Sequence, residues 1–323
     1  MITLYSRDEG QLAVQSWQSG QPLPPHLIWV DAHDPSDEEA DSLQAALGLA
    51  LPPREERERS SALSRMFSSD GVSFMTAALI TKAMGPYPEI RHVRFVLTED
   101  TLLTVREIEP TSFVQFAARL AETTKNYDSG PEVLQGLLEE MVLRVAYNSE
   151  LVSGDLDELS HRIFDPYGLQ ADEEQTSLQD VLRRLGVAAD LNSQVHESLH
   201  SLARMVGFFK EQQSDNQYLV RKLDVLAADI RELAQQTTFL SNKITFQLDA
   251  TLGMINVEQN MIMKILSVFT VLIMPPTLIG SIYGMNFSFM PELSQPWGYP
   301  LALALMVVCA VGPFMYFRRR RWL

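Results

Sequence analysis

The residues best suited to cation chemistry are Tyr283-Gly284-Met285-Asn286-Phe287, which lie between the two membrane-length apolar segments of this 323-residue chain. Asn286 offers a neutral amide oxygen. Mg²⁺ gives up its water reluctantly and prefers oxygen in octahedral geometry. A ring of such amides would hold the ion through its own waters, whereas a carboxylate ring would bind any divalent ion more tightly and release it more slowly. Gly284 is expected to end the preceding helix with a positive φ, which glycine adopts without penalty. A second candidate is His196-Glu197-Ser198-Leu199-His200, which satisfies the H-E-x-x-H pattern of zinc hydrolases. No third ligand follows it, and so short a pattern arises by chance in polar helices, so an enzyme is not expected. No P-loop, dinucleotide-binding glycine pattern, cysteine pair or EF-hand loop is present, and nothing points to ATP coupling.

A longer pattern precedes the Gly-Met-Asn turn. Alternating steps of four and three residues pick out Asp249, Gly253, Asn256, Asn260, Met263, Ser267, Thr270, Met274, Thr277 and Ser281. At a period of 3.5 they share one helix face. None is a branched aliphatic or aromatic residue, and seven have polar side chains. A water-filled axis accounts for all ten, since polar groups at membrane depth face cavities. Close helix packing explains the four hydroxyl residues as well, but not the continuation through Asn260, Asn256 and Asp249. One helix cannot enclose a pore, so the water-filled reading requires a homo-oligomer with cyclic symmetry. Pro275 and Pro276 deprive the carbonyls of Val271 and Leu272 of helix partners, which fits either a water-lined wall or a simple kink.

The elements that must carry this stripe follow from hydropathy. Residues 265–283 and 297–317 hold no charge, and each is about the ~20 residues that cross a bilayer. A buried core helix is the alternative for either. Arg318-Arg319-Arg320-Arg321 marks the cytoplasmic side, so residues 1–264 and both termini are expected there, with 284–296 outside and Glu292 as its one charge. The N-terminus lacks the layout of a signal peptide. Cys309, the one cysteine, cannot form an intrachain disulfide. The formal charge is −15; residues 265–323 hold four arginines and one glutamate, net +3, so −18 falls on residues 1–264. That argues against nucleic acid as partner.

Residues 1–130 read as mixed α/β. Strands are expected at 27–30, 72–75, 92–97 and 101–105, with a hairpin turn at Thr98-Glu99-Asp100 and a loop at Gly85-Pro86-Tyr87-Pro88. A helix should open at Asp34-Pro35, with proline at its first position and Asp37, Glu38 and Glu39 in its first turn. Residues 131–163 and 176–213 form a predicted helical hairpin, divided at Asp165-Pro166-Tyr167-Gly168 and acidic near its tip through Asp155, Asp157, Glu158, Asp172, Glu173 and Glu174. Residues 215–283 read as one helix of about 100 Å at ~1.5 Å per residue. Leu223, Leu226, Ile230, Leu233, Thr237, Leu240, Ile244 and Leu248 form its packing seam.

The chain resembles the CorA family of divalent-cation channels. The resemblance is carried by Tyr283-Gly284-Met285-Asn286-Phe287, then Phe289-Met290-Pro291-Glu292-Leu293, Trp297-Gly298-Tyr299-Pro300 and a basic terminus closing in Trp322-Leu323. It implies an α/β N-terminal cytoplasmic domain, long helices and two C-terminal transmembrane helices in a funnel-shaped homopentamer of the bacterial inner (plasma) membrane. The parts would be an α/β domain (1–130), a helical hairpin (131–213), a stalk helix (214–264), a pore-lining transmembrane helix (265–283), an external loop (284–296), a second transmembrane helix (297–317) and a basic tail (318–323). The transported ion would be Mg²⁺, with Co²⁺ and Ni²⁺ also passing, driven by the membrane potential and closed by cytoplasmic Mg²⁺. By resemblance, Gly284, Met285 and Asn286 form the selectivity filter. Met263, Leu266 and Met274 form the apolar constriction; Asn260, Thr270 and Thr277 are polar pore positions. Asp249 forms an inner acidic ring, and Glu292 raises cation concentration at the mouth. Asp224 and Asp229 are candidates for half of a regulatory metal site. The zinc-transporting branch usually departs from the Met-Pro-Glu-Leu loop kept here, which favours Mg²⁺ over Zn²⁺. The alternatives are a Zn²⁺ transporter of the same architecture and a non-conducting, membrane-anchored cation sensor or scaffold.

Overall fold

The chain is described from a computed structural model covering residues 1–8, 11–48, 66–85, 87–122, 127–164, 177–286, 290–291 and 295–320. Seven strands form one mixed sheet: β1 (Ile2–Asp8), β2 (Gln11–Trp17), β3 (Leu27–His33), β4 (Phe67–Ser69), β5 (Val72–Thr81), β6 (Glu89–Leu97) and β7 (Leu102–Arg106), in the order β2-β1-β3-β7-β6-β5-β4. Among the described residues, β3 and β7 pair in parallel and the other pairs are antiparallel. The expected hairpin turn is present: the Thr98 amide donates to the Thr101 carbonyl at 3.0 Å, and Leu97 pairs with Leu102.

The helices are α1 (Asp37–Leu47), α2 (Thr111–Glu122), α3 (Gly130–Phe164), α4 (Leu178–Gln212), α5 (Gln217–Tyr283) and α6 (Gly298–Arg319). The start of α1 differs from expectation. Ser36 is the cap and exchanges hydrogen bonds with Glu39 in a capping box. Pro35 therefore precedes the cap and is not the first helical residue. Strands β1, β2 and β4 and helix α2 are additions to the elements expected from sequence. The residues dividing α3 from α4, Asp165 to Gly168 with Asp172, Glu173 and Glu174, lie outside the described residues, as does Pro86.

The chain divides into two compact units, residues 1–248 and 249–323. In the first, both faces of the sheet are buried. Ile2, Leu4, Trp17, Val30, Ala32, Val96 and Leu103 cluster with Leu43 of α1. Trp29 meets Phe113 and Phe116 of α2 at ring-centroid distances of 6.2 and 5.6 Å. Burial on both faces is why β3, Leu-Ile-Trp-Val-Asp-Ala-His, shows no alternation. Among the described residues, Asp31 and Arg106 form a charged pair inside, at 7% and 8% side-chain exposure and 2.8 Å apart. The Thr104 hydroxyl also donates to Asp31, at 2.8 Å, and itself accepts from the Trp29 indole at 3.0 Å. Burial, with Asp31 nearby, pushes the Tyr5 phenol up to about 12.

α3 and α4 pack together, with α4 also on β5. Within residues 217–248, α5 lies against them. Lys222 donates to Gln135 at 3.1 Å, Asn192 to the Thr237 carbonyl at 3.0 Å, and Lys243 pairs with Asp157 at 2.6 Å. The seam holds at Leu223, Leu226, Ile230, Thr237, Leu240 and Ile244, all buried; Leu233 is half-buried. It fails at Leu248, which is 38% exposed, because the buried neighbour is Gln247, donating to the Leu156 carbonyl at 2.7 Å. The buried positions keep a strict heptad, Leu223, Ile230, Thr237 and Ile244 on one line and Leu226, Leu240 and Gln247 on the other, and Leu248 lies one residue off it.

Candidate functional site

Within residues 249–323, the end of α5 and all of α6 are long and apolar enough to cross a membrane. Only 6% of the most apolar window of each is buried, so neither is a core helix of a soluble domain. The two meet where Gly280 lies: a Cβ there would come within 3.6 Å of Met306 Cε. On α5 the less exposed residues are Val268, Leu272, Pro275, Pro276, Ile279 and Tyr283. On α6 they are Gly298, Ala302, Met306, Cys309, Ala310, Pro313 and Phe317. Both sets recur at three- and four-residue steps, so each helix packs along one face. The signal for the α6 face, small residues four apart at Gly298 and Ala302, is present in the sequence.

All ten stripe residues, from Asp249 to Ser281, are exposed in the single chain. At 100° per residue, the five from Ser267 to Ser281 centre about 170° from the packed face of the same segment. The stripe is therefore the side of α5 turned away from α6. Leu266 is 58% exposed and sits beside the stripe. A shallow open groove along this face is lined by Thr270, Met274, Thr277 and Ser281, with Phe269, Ile273 and Leu278 at its edges.

The hydroxyls on this face are satisfied in one direction. Ser267 donates to the Met263 carbonyl at 2.7 Å, Thr270 to Leu266 at 2.8 Å and Thr277 to Ile273 at 2.8 Å. Each uses its hydrogen on its own helix and keeps its oxygen lone pairs as acceptors. The helix passes through Pro275 and Pro276 without interruption.

The helix ends at Tyr283, but not by the expected route. Gly284 does not have a positive φ. Its amide continues the ladder to the Gly280 carbonyl at 3.0 Å, and Met285 donates to Ile282 at 3.3 Å. A Cβ on Gly284 would lie 3.1 Å from the Gly280 carbonyl oxygen, so crowding, not a left-handed backbone, is what glycine relieves here. Gly284, Met285 and Asn286 are exposed at the helix end. Phe287, Phe289, Glu292 and Leu293 lie outside the described residues, as do Arg321, Trp322 and Leu323.

Away from this unit, Asp224 and Asp229 are both exposed on α5, and Asp224 forms an ion pair with Lys210 of α4. Among the described residues no three His, Cys, Asp or Glu side chains come together as a metal site. His196, Glu197 and His200 are exposed on α4; His196 Nδ1 lies 3.2 Å from the Thr237 hydroxyl. Ser198, inside the same pattern, is buried and donates to the Ala78 carbonyl at 2.7 Å. The pattern thus anchors α4 to its neighbours.

Comparison with known proteins accords with this arrangement. The profile of the family described as CorA-like Mg²⁺ transporter protein matches residues 25–319. The magnesium transport protein CorA of Haemophilus ducreyi is 33% identical over 325 residues, and that of Escherichia coli K12 is 31% identical over 324; each comparison covers 100% of both chains. Among solved structures, the complete CorA magnesium transporter of Methanocaldococcus jannaschii superposes with a TM-score of 0.76 at 19% identity, covering 100% of this chain and 99% of that one. The match over nearly the whole length and the two full-length relatives place it: the chain belongs to the CorA-like Mg²⁺ transporter family.

Proposed function

We propose that this chain is one subunit of a homopentameric channel of the bacterial inner membrane that passes Mg²⁺, and with it Co²⁺ and Ni²⁺, down the electrochemical gradient. The observation that carries the reading is the polar stripe of α5 facing away from α6. A membrane-depth face of acceptors needs water or neighbours, and five copies about one axis supply both. The first shell of Mg²⁺ is water whose hydrogens point outward, so the acceptor-only hydroxyls of Thr270, Thr277 and Ser267 suit it. Ser281 and Asn256 extend that wall, and Gly253 widens it. The names of the full-length relatives support Mg²⁺ as the cargo. The family is one of transporters, and the chain is not an enzyme.

In this reading Asn286, presented by Gly284 and Met285, forms the outer ring that holds the hydrated ion, and Glu292 concentrates cations before it. Met263, Leu266 and Met274 form apolar rings that close by dewetting. Asn260 and Asp249 receive the ion at the inner end. The arginines from 318 onward keep both termini cytoplasmic, residues 284–296 lie outside, and lipid meets the remaining apolar faces of α5 and α6. The driving force is about 2.3 kcal/mol per charge per 100 mV, doubled for a divalent ion. The acidic 1–264 segment supplies feedback: internal Mg²⁺ bound near Asp224 and Asp229 would relieve repulsion between subunits and favour a closed assembly. At Asp224 the ion must compete with Lys210.

The test is flux of Mg²⁺ and Zn²⁺, measured in parallel, through purified protein in liposomes under an imposed inside-negative potential. Mg²⁺ should enter, Asn286→Ala should abolish entry without loss of assembly, and Met274→Asp should leak at high internal Mg²⁺. Unchanged Mg²⁺ flux in Asn286→Ala would remove the filter assignment. Flux of Zn²⁺ alone would make the chain a zinc transporter, and flux of neither ion would make it a sensor or scaffold.

A further inference from the structure

Phe239 and Phe246 are 65% and 62% exposed on α5, and nothing in the pore reading so far uses them. They sit fourteen and seven residues before Gly253, at the heptad position that later holds Asn260, Ser267, Met274 and Ser281. Their own segment packs through Thr237, Leu240, Ile244 and Gln247, all buried. At 100° per residue the two rings centre about 130° from that packed side. They therefore face outward for the same reason the polar stripe does. The positions between and around them on this register, Gln235, Asn242 and Asp249, are polar and exposed. Two large apolar rings on an otherwise polar, outward-facing line need a cover. Phe246 has a partial one, Phe164 of α3, stacked at 5.8 Å and 21°, yet both rings remain exposed. Among the described residues Phe239 makes no ring contact at all.

A heptad register stays on one side of an α-helix over many turns only where helices supercoil about each other. The partner that satisfies this geometry is a second copy of the chain, presenting the same residue at the same height. We propose that Phe239 and Phe246 form two further apolar collars around the ion path in the stalk, on the cytoplasmic side of Asp249, each built from one phenylalanine per subunit. This rests on the reading of α5 as the pore helix. Such collars would resist hydration in the way the Met263 and Met274 rings do, so an ion leaving Asp249 would meet a second and third narrow place.

Because Cys309 is the sole cysteine, Cys309→Ser supplies a clean background. Phe239→Cys and Phe246→Cys are each placed in it, oxidised in membranes and assayed for crosslinked subunits and for Mg²⁺ flux in liposomes. Most chains should migrate as crosslinked dimers, and flux should fall at least several-fold on oxidation and return on reduction. Should Phe246→Cys fail to assemble through loss of the Phe164 contact, Phe239→Cys decides the matter. Chains that remain monomeric on gels while flux persists would overturn the collars and leave the pore reading intact. Crosslinking without any change in flux would also overturn them, placing the rings between subunits but off the ion path. Loss of the pore reading itself would appear separately, as an Asn286→Ala protein that still conducts.

Discussion

Residues 1–248 and residues 249–323 treat their apolar surface in opposite ways. The first unit closes its core within one chain: Trp29, Phe95, Phe113 and Phe116 are all under 3% exposed, and even its inner charge, Asp31, is paired. In the second unit only Thr251, Val268, Gly298 and Ala302 are buried among the described residues. Its apolar faces and its polar face alike are left open. The larger unit is therefore complete as a folded core, and the smaller is incomplete as a site. In the proposed assembly, lipid and further copies would cover the second unit, and further copies would cover Phe239 and Phe246 of the first.

The comparison predicts where substitutions act. The largest effect on stability should come from Asp31→Asn, which leaves the Arg106 guanidinium buried without its counter-charge; breaking such a pair costs about 3–5 kcal/mol. Thermal unfolding in detergent should show a clearly lowered transition, while flux per assembled channel stays normal. Normal stability would mean that the first unit does not depend on its inner charge pair. A smaller effect is expected at Gly136. A Cβ there would fall 2.6 Å from the Phe116 ring and 2.7 Å from that of Tyr127, and overpacking costs about 1–3 kcal/mol. Gly280→Ala, by contrast, meets only the flexible end of Met306 at 3.6 Å and should be tolerated. Equal loss at both positions would break the contrast between a closed core and an open hairpin.

Smaller still is the surface ion cluster on α3 and α4. Hydrogen bonding to Arg184 holds the Glu158 carboxyl down to about 2, with Arg162 adding to the effect. A lowered carboxyl pKa stabilises the fold above the unfolded value of 4.5, and that contribution fades as pH falls from there through about 2. The pair is half-exposed and screened, so Arg184→Gln should cost less than about 1 kcal/mol at neutral pH. The difference from the parent should vanish near pH 2 and shrink in high salt. A difference that grows on acidification would contradict this sign.

The same division governs what could be read from sequence. The apolar runs, the long helix and the stripe are periodic signals that no tertiary contact overrides, and the helix ends fall within a few residues of expectation. β1 is harder to see because Tyr5 and Ser6 are both buried and erase the alternation begun by Ile2 and Leu4. β2 is an edge strand, largely exposed, and β4 has three residues. α2 carries Phe113, Phe116 and Leu120 on one face, a legible signal in a segment otherwise read for strands. The Lys210 partner of Asp224 comes from the preceding helix, and no spacing rule announces it. The stripe's residues were legible, but that they lie opposite the α6 contact required the packing of Gly280 against Met306.

The central claim is that the side of α5 turned away from α6 lines the ion path. Single cysteines in the Cys309→Ser background, at Thr270, Met274 and Thr277 on the stripe and at Val268, Leu272 and Ile279 on the packed face, would be treated with a cationic thiol reagent during Mg²⁺ flux in liposomes. The account predicts block at the three stripe positions and none at the three packed ones. Block confined to Val268, Leu272 and Ile279, or equal at all six, would contradict it.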